Sequence, residues 1–402
     1  MIREGEFPQG LTRRDLFKLA ALAGGGYTAL RGSQAIGEHT LPAWSQDLTV
    51  LPPQVPVPSA LLGLSANFPY FYRWIDNSRV MDRFWADKEA TGIRYVRQFP
   101  PSRDAFEPEL GSYRFDLLEN IPRSAELIPA EFNLIDGYWI FHSEKGDWSY
   151  KGKTKPNSAY LKPEYGSLKD QRLAFFTNDY LIGSFIKRAV EMINYLRGAR
   201  GIIAFSIGNE IEPPVDDLGY ARELVTTWYS KVAPPIKEVI GETPILSGLS
   251  DPDLLDANEA KKIGLAADTF HVFPHAIIDG KINRLAESLK GRPRQLPLIC
   301  QEIGFYSRLE RGRFTLTIPS EVQDIMFSWM LDYVFSKFSE VNQIDGWKRG
   351  NFGGVGIWRF TFEGNPHDDG FDFTPRKLPK SLETLFKCDD FLQASSLASN
   401  VA

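Results

Sequence analysis

The run Ile202-Ile203-Ala204-Phe205-Ser206-Ile207 most restricts the folds open to this chain. It is apolar with almost no polar alternation, the pattern of a strand covered on both faces, and such strands belong to parallel sheets flanked by helices. Gly208, Asn209 and Glu210 follow it, so an amide and a carboxyl stand side by side where the strand finishes. A later run, Pro297 to Gly304 (PLICQEIG), closes the same way, with Glu302 at its tip. In a barrel of parallel strands the C-terminal strand ends carry the chemistry.

Elements that alternate between strand and helix surround these two runs, the signature of βαβ units. Strands are predicted at Leu61 to Phe68, Gly92 to Phe99, Glu131 to Tyr138, Ile202 to Ile207, Pro244 to Leu249, Thr269 to Phe273, Leu298 to Ile303 and Gly354 to Phe360. Helices are predicted at Val80 to Thr91, Leu117 to Leu127, Asp170 to Leu196, Tyr220 to Ile240, Lys281 to Lys290 and Ser320 to Phe338. The third of these is the clearest, because Leu181, Phe185, Ala189, Met192 and Leu196 recur at three- and four-residue spacing. Eight strands with intervening helices predict one (β/α)8 TIM barrel, a single α/β domain with enlarged βα loops, over residues 59–392. No internal repeat is visible.

Outside the barrel, Arg13 and Arg14 precede a moderately apolar run from Leu19 to Leu30, and Ser33-Gln34-Ala35 supplies small residues for cleavage. That order resembles a twin-arginine export signal over residues 1–35. It implies the export machinery as a partner and a periplasmic or extracellular location. Residues 36–58 read as a Pro-rich linker, with Pro52, Pro53, Pro56 and Pro58 opposing regular structure. Residues 393–402, rich in Ser and Ala, read as a frayed tail. No other stretch has the eighteen or so apolar residues of a membrane span, so no span is expected after cleavage. The net charge of −5 gives no basic footprint for nucleic acid. The two cysteines have two readings: Cys300 as a small buried hydrophobe within its strand, or a disulfide to Cys388 in an oxidising compartment. A monomer is expected.

The strand ends supply a constellation: Arg97 on the second strand, Asn209 and Glu210 on the fourth, His271 on the sixth, Glu302 on the seventh and Trp358 on the eighth. Two carboxyls on two strand ends of one barrel are the parts needed to hydrolyse a glycosidic bond. Taken singly, each residue has a plainer reading. Glu210 suits a helix N-terminus, Arg97 a structural ion pair, and His271 and Trp358 the core. The stretches IIAFSIGNE (Ile202 to Glu210) and PLICQEIGF (Pro297 to Phe305) resemble the strand-four and strand-seven stretches of the large clan of (β/α)8 glycoside hydrolases. Family 5, with its cellulases and β-mannanases, is the nearest match, over roughly Leu61 to Phe386.

The resemblance implies a retaining glycosidase acting on β-linked glycans of glucan or mannan type, with no cofactor and no catalytic metal. Glu210 would be the acid/base and Glu302 the nucleophile, their carboxyls about 5–5.5 Å apart. Asn209 would donate to a sugar 2-hydroxyl, Arg97 would hold the charge of Glu302 and keep its pKa low, and Trp358 would stack on the sugar ring. His271 matches a weaker family position. Two departures stand out. The family's strand-three histidine is missing, with Tyr138 near its place and His142 later, and Phe273 replaces an aromatic hydroxyl for which Tyr306 and His275 are candidate substitutes. Those departures keep a second reading open, a non-catalytic carbohydrate-binding barrel. A metal-dependent hydrolase is disfavoured by five histidines with no close pairing of two on one strand. Trp139, Trp148, Tyr150, Tyr160 and Tyr165, with Lys145, Lys151, Lys153 and Lys155, form either a cleft wall or an ordinary insertion, and Asp368 and Asp369 after His367 are read as solvated.

Overall fold

A computed structural model of the chain describes residues 58–399, with breaks at 69–70, 102–104, 138–146, 151–152, 157–158, 256, 274–295, 306, 312–313, 345–351 and 359–376. The predicted export segment, all of the linker before Pro58, the helix at 281–290, and Tyr138, Trp139, His142, Lys145, Lys151, His275, Tyr306, His367, Asp368 and Asp369 lie outside the described residues.

In chain order the strands are β1 (Gly63–Asn67), β2 (Tyr95–Gln98), β3 (Ala130–Asn133), β4 (Asp147–Tyr150), β5 (Lys153–Pro156), β6 (Ile202–Ser206), β7 (Ile245–Leu246), β8 (Asp268–Val272), β9 (Leu298–Ile303), β10 (Arg308–Arg311), β11 (Phe314–Thr317) and β12 (Phe352–Ile357). The helices are α1 (Ser78–Thr91), α2 (Asn120–Leu127), α3 (Leu168–Thr177), α4 (Asp179–Leu196), α5 (Leu218–Ile240), α6 (Ala257–Lys262), α7 (Ser320–Ile344) and α8 (Pro379–Ser399). Eight strands pair in the order β7-β6-β3-β2-β1-β12-β9-β8, every pair parallel. This is the predicted (β/α)8 barrel, one domain with enlarged loops. Two antiparallel hairpins, β4–β5 and β10–β11, are inserted in the connections after β3 and β9. Neither hairpin was predicted, and nor was α8, which runs past Gln393, where the sequence reading ends the barrel.

The ring closes between β7 and β8, and side chains help to close it. The backbone contributes one bridge, Leu246 to Ala267. Ser247 Oγ then lies 2.5 Å from Asp268 Oδ1 and accepts from Thr269 N at 3.1 Å, and Thr269 Oγ1 donates to Leu249 O at 2.9 Å. Three backbone bonds complete the seam: Ala266 N to Ile245 O at 2.8 Å, Ser247 N to Ala267 O at 3.3 Å and His271 N to Ser250 O at 3.1 Å.

Inside the barrel the side chains form layers. Leu61, Leu62, Tyr95, Ala204, Leu246, Ala267 and Ile299 make an apolar floor. Above it the lumen turns polar, with Ser65, Asn67, Arg97, Glu131, Asn133, Ser206 and Gln301 all buried. The outward residues of the same strands, such as Leu64, Val96, Ala130, Phe270, Cys300 and Val355, pack under the helices in a separate core. Cys300 and Cys388 are both buried free thiols, which settles the choice between a disulfide and buried hydrophobes. Among the described residues no helix is long and apolar enough to cross a membrane.

The helix predicted over Asp170 to Leu196 is two helices. Asn178 (φ −89°, ψ 115°) takes an extended conformation, ends α3 and caps α4, its side chain accepting from Tyr180 N and Leu181 N. The apolar spacing continues across the break, so periodicity alone hides it. Ser167 and Asp170 begin α3 with reciprocal capping bonds. Replacing Asn178 with Ala removes the cap of the longer helix and is expected to lower stability by about 1 kcal/mol, read from urea denaturation.

Candidate active site

The site stands on the C-terminal ends of β2, β3, β6, β8 and β9, with Arg97 at its centre. Its guanidinium is fully buried and uses all five N–H donors. Nε donates to Glu131 Oε1 at 3.1 Å, and Nη1 to Glu302 Oε1 at 2.6 Å and Asn67 Oδ1 at 3.3 Å. Nη2 donates to Asn133 Oδ1 and Asn209 Oδ1, both at 3.0 Å. Arg97 also lies over the Phe99 ring, 4.8 Å from its centroid. Beneath it, Glu131 accepts additional bonds from Ser206 Oγ and Gln301 Nε2.

Glu302 reaches this pocket because β9 is irregular. Strict alternation would turn Glu302 away from the lumen once Gln301 faces into it. Both residues bond to lumen groups, Gln301 to Ser206 at 2.8 Å and Glu302 to Arg97. The register accounts for this. Cys300 pairs with Phe270 and Val355, whereas Glu302 pairs with His271, and Ile303 with Val272 and Ile357. One extra residue on β9 is thus opposed by none on its neighbours, which is a β-bulge. Gly356 lies opposite the bulge, where an added Cβ would stand 2.1 Å from Gln301 O.

Glu210 is held differently. It is the non-glycine residue with positive φ (51°) among the described residues, and such conformations gather where function over-determines the backbone. Its N–H donates to Gly248 O at 2.9 Å, while Asn209 N donates to Ile135 O at 3.0 Å. Gly248 has φ +74°, and a Cβ there would lie 1.7 Å from Gly208 O, so a glycine is needed for β6 and β7 to approach.

His271 lies between the two glutamates. Its Nδ1 is 2.9 Å from Glu210 Oε1 and 3.5 Å from Glu302 Oε2. Its Nε2 is buried with no hydrogen-bond partner among the described residues. One ligand atom from each of Glu210, His271 and Glu302 falls within 4.8 Å of the others, so the two carboxyls share one pocket. The trio would also accommodate a cation, but the Arg97 guanidinium already occupies the Glu302 side, and its charge opposes a second one there.

Trp358 is half-buried at the end of β12, its ring edge-on to Phe99 at 6.0 Å. It therefore stands one aromatic ring away from Arg97. Phe273 packs edge-on against His271 at 6.5 Å. At strand three the polar group is Asp136, whose Oδ1 accepts from Asn209 Nδ2 at 3.2 Å. Asn67, Glu131, Asn133, Asp136 and Gln301 were not anticipated. A signal for Glu131 and Asn133 was present, two polar residues at period two inside an apolar strand.

Burial dominates the electrostatics. It pushes the Glu302 carboxyl up against the opposing pull of His271 and Arg97, and Glu210 adds to the rise. The expectation that Arg97 keeps this pKa low is therefore corrected, because desolvation outweighs the guanidinium. Asp136 is half-buried by its surface but ringed by protein atoms, and this desolvation raises it from 3.8 to about 7, assisted by the charges of Glu210 and Glu302. A carboxyl raised on folding stabilises the fold at low pH and loses that contribution as pH rises through its folded value. Urea midpoints are thus expected to fall as pH rises from about 4 to about 7 on account of Asp136. Substituting Arg97 with Met would strand Glu131 and Glu302 without their cation, with an expected loss of about 3–5 kcal/mol in the same assay.

No protein-family model matches the chain, and no curated protein sequence matches it. Solved structures do match. The endo-β-1,4-mannanase of Thermotoga petrophila has a TM-score of 0.56 at 14% identity, over 84% of this chain and 77% of its own. The endo-1,4-β-mannanase of Rhizomucor miehei gives 0.56 at 13%, over 88% and 98%. Endo-glycoceramidase II of a Rhodococcus species gives 0.53 at 12%, over 83% and 80%. At these identities the likeness is one of fold, and the fold shared is the TIM barrel.

Proposed function

We propose that this protein is a retaining glycosidase that cleaves β-linked glycans of glucan or mannan type. The observation that carries the reading is the convergence of Glu210 and Glu302, from β6 and β9, in one pocket with ligand atoms within 4.8 Å. That spacing suits attack by one carboxylate on the anomeric carbon and leaves no room for a water between the pair, as inversion would require. Glu302 is the nucleophile: Arg97 donates to it at 2.6 Å, a charge-assisted bond that offsets part of the cost burial places on its ionised form. Glu210 protonates the leaving oxygen and then activates water. His271 Nδ1, 2.9 Å from Glu210, orients that carboxyl. Asn209 is anchored by Arg97 and keeps an N–H for the sugar 2-hydroxyl, and Trp358 forms part of the wall for the ring.

The mannanase neighbours support a polysaccharide substrate, and the glycoceramidase neighbour supports a β-glycoside with a different aglycone. Export by a twin-arginine signal in residues 1–35 belongs to the same proposal, since it delivers a folded barrel to extracellular glycans.

A panel of aryl β-glycosides, soluble β-glucans and β-mannans tests the reading. Glu210→Ala is expected to lose about 10²–10⁴-fold in kcat/KM on substrates with poor leaving groups. Glu302→Gln, which keeps an acceptor for Arg97, is expected to abolish turnover while leaving the fold intact. Tight glycan binding by the parent without turnover would point instead to a carbohydrate-binding barrel. Activity removed by a chelator and restored by a divalent cation would make Glu210, His271 and Glu302 metal ligands.

A further inference from the structure

We infer that Asp136 is a positioning residue of this site: its carboxyl fixes the orientation of the Asn209 amide, and its ionisation governs how well the site works. The inference rests on the glycosidase reading above.

The geometry begins with the backbone. Asp136 and Asn209 form an isolated parallel bridge just beyond β3 and β6, so their side chains start from a fixed separation. Gly137 allows this approach, since a Cβ there would lie 2.4 Å from Asn209 O. The Asn209 amide is then held at both ends. Its Oδ1 accepts from Arg97 Nη2 at 3.0 Å, and its Nδ2 donates to Asp136 Oδ1 at 3.2 Å. A flipped amide would set N–H against the guanidinium and oxygen against the carboxyl, so only one orientation satisfies both neighbours. Among the described residues the second N–H of Nδ2 has no acceptor, and it is this donor that Asp136 aims. The bonds run on from Arg97 to Glu302, which links a carboxyl on β9 to one beyond β3.

The charged groups facing Asp136 are Glu210 beyond β6, Glu302 on β9 and Arg97 on β2. Two of the three are carboxyls. A neutral Asp136 leaves the acid pair undisturbed, whereas an ionised one adds a negative charge beside them. Since burial places its ionisation at about 7, the change falls in the neutral range. The ionised form strengthens the hold on Nδ2 but raises the cost of negative charge on Glu302.

The experiment has an arm that needs no substrate. In ¹⁵N-labelled protein, the Asn209 side-chain amide signals are expected to move with one ionisation near neutral pH, and to stay fixed in Asp136→Asn, which keeps an accepting oxygen but cannot ionise. The kinetic arm uses the glycoside panel. Asp136→Asn is expected to retain acid-side kcat/KM within about threefold and to lose the decline above neutrality. Asp136→Ala, which frees the amide, is expected to lose about tenfold on glycosides and less on their 2-deoxy analogues, the size of one hydrogen bond. Asn209 signals that move alike in parent and Asp136→Asn would overturn the inference, as would an Asp136→Ala enzyme that discriminates against 2-deoxy substrates as the parent does. Should the parent turn over no glycoside, the glycosidase reading fails, and the amide signals alone decide the role of Asp136. They also decide it if Asp136→Ala does not fold.

Discussion

The guanidinium of Arg97 is the interaction on which the rest of the site depends. A buried cation with five N–H groups demands five acceptors, and the barrel supplies them from β1, β2's neighbour β3, β9 and the turn after β6. Each acceptor is positioned by bonding to the same group, so the strand ends are fixed relative to one another by one planar ion. Buried charge of this kind is costly unless every partner is present. Glu131 matters for that reason, although it lies below the pocket. With Glu302 it brackets the cation, and Ser206 and Gln301 hold Glu131 in turn. The polar layer therefore forms a single network above the apolar floor, and the pocket forms its upper surface.

Much of the fold was legible because strand and helix periods differ. Eight apolar runs mapped onto eight barrel strands, and for β9 the predicted bounds match those observed. Other elements were hidden for physical reasons. The break at Asn178 preserves the apolar stripe on either side, so only the capping geometry reveals it. The pair β10–β11 has strands of four residues, too short for a pattern to stand out.

For the site, Glu210, Asn209, Glu302, Arg97 and His271 were legible because each ends or nearly ends an apolar run, and the structure brings them together. Trp358 stands at the margin, separated from Arg97 by Phe99. Alternation could not explain Glu302, since Gln301 already faces inward. The bulge that turns both residues toward the lumen depends on β8 and β12 as much as on β9. Asp136 was illegible for a similar reason: its significance comes from Asn209, far away in the chain, and from the carboxyls that the fold brings near it. Pair relations across strands leave little trace in a single sequence.

The seam between β7 and β8 has a mechanical consequence. Backbone bonds lace the whole ring, and here the hydroxyl groups of Ser247 and Thr269 share the join with three of them. Ser247 and Thr269 are fully buried, so these bonds are closed to water, and in this staves-and-hoop wall the β7 stave is tied to β8 partly through side chains. Glu210 and His271 flank that stave, whereas Glu302 and Arg97 belong to the long-laced side. Loss of those hydroxyl bonds by substitution would reach the carboxyl–imidazole contact before the ion pair, so the two edges of the pocket answer to different parts of the wall.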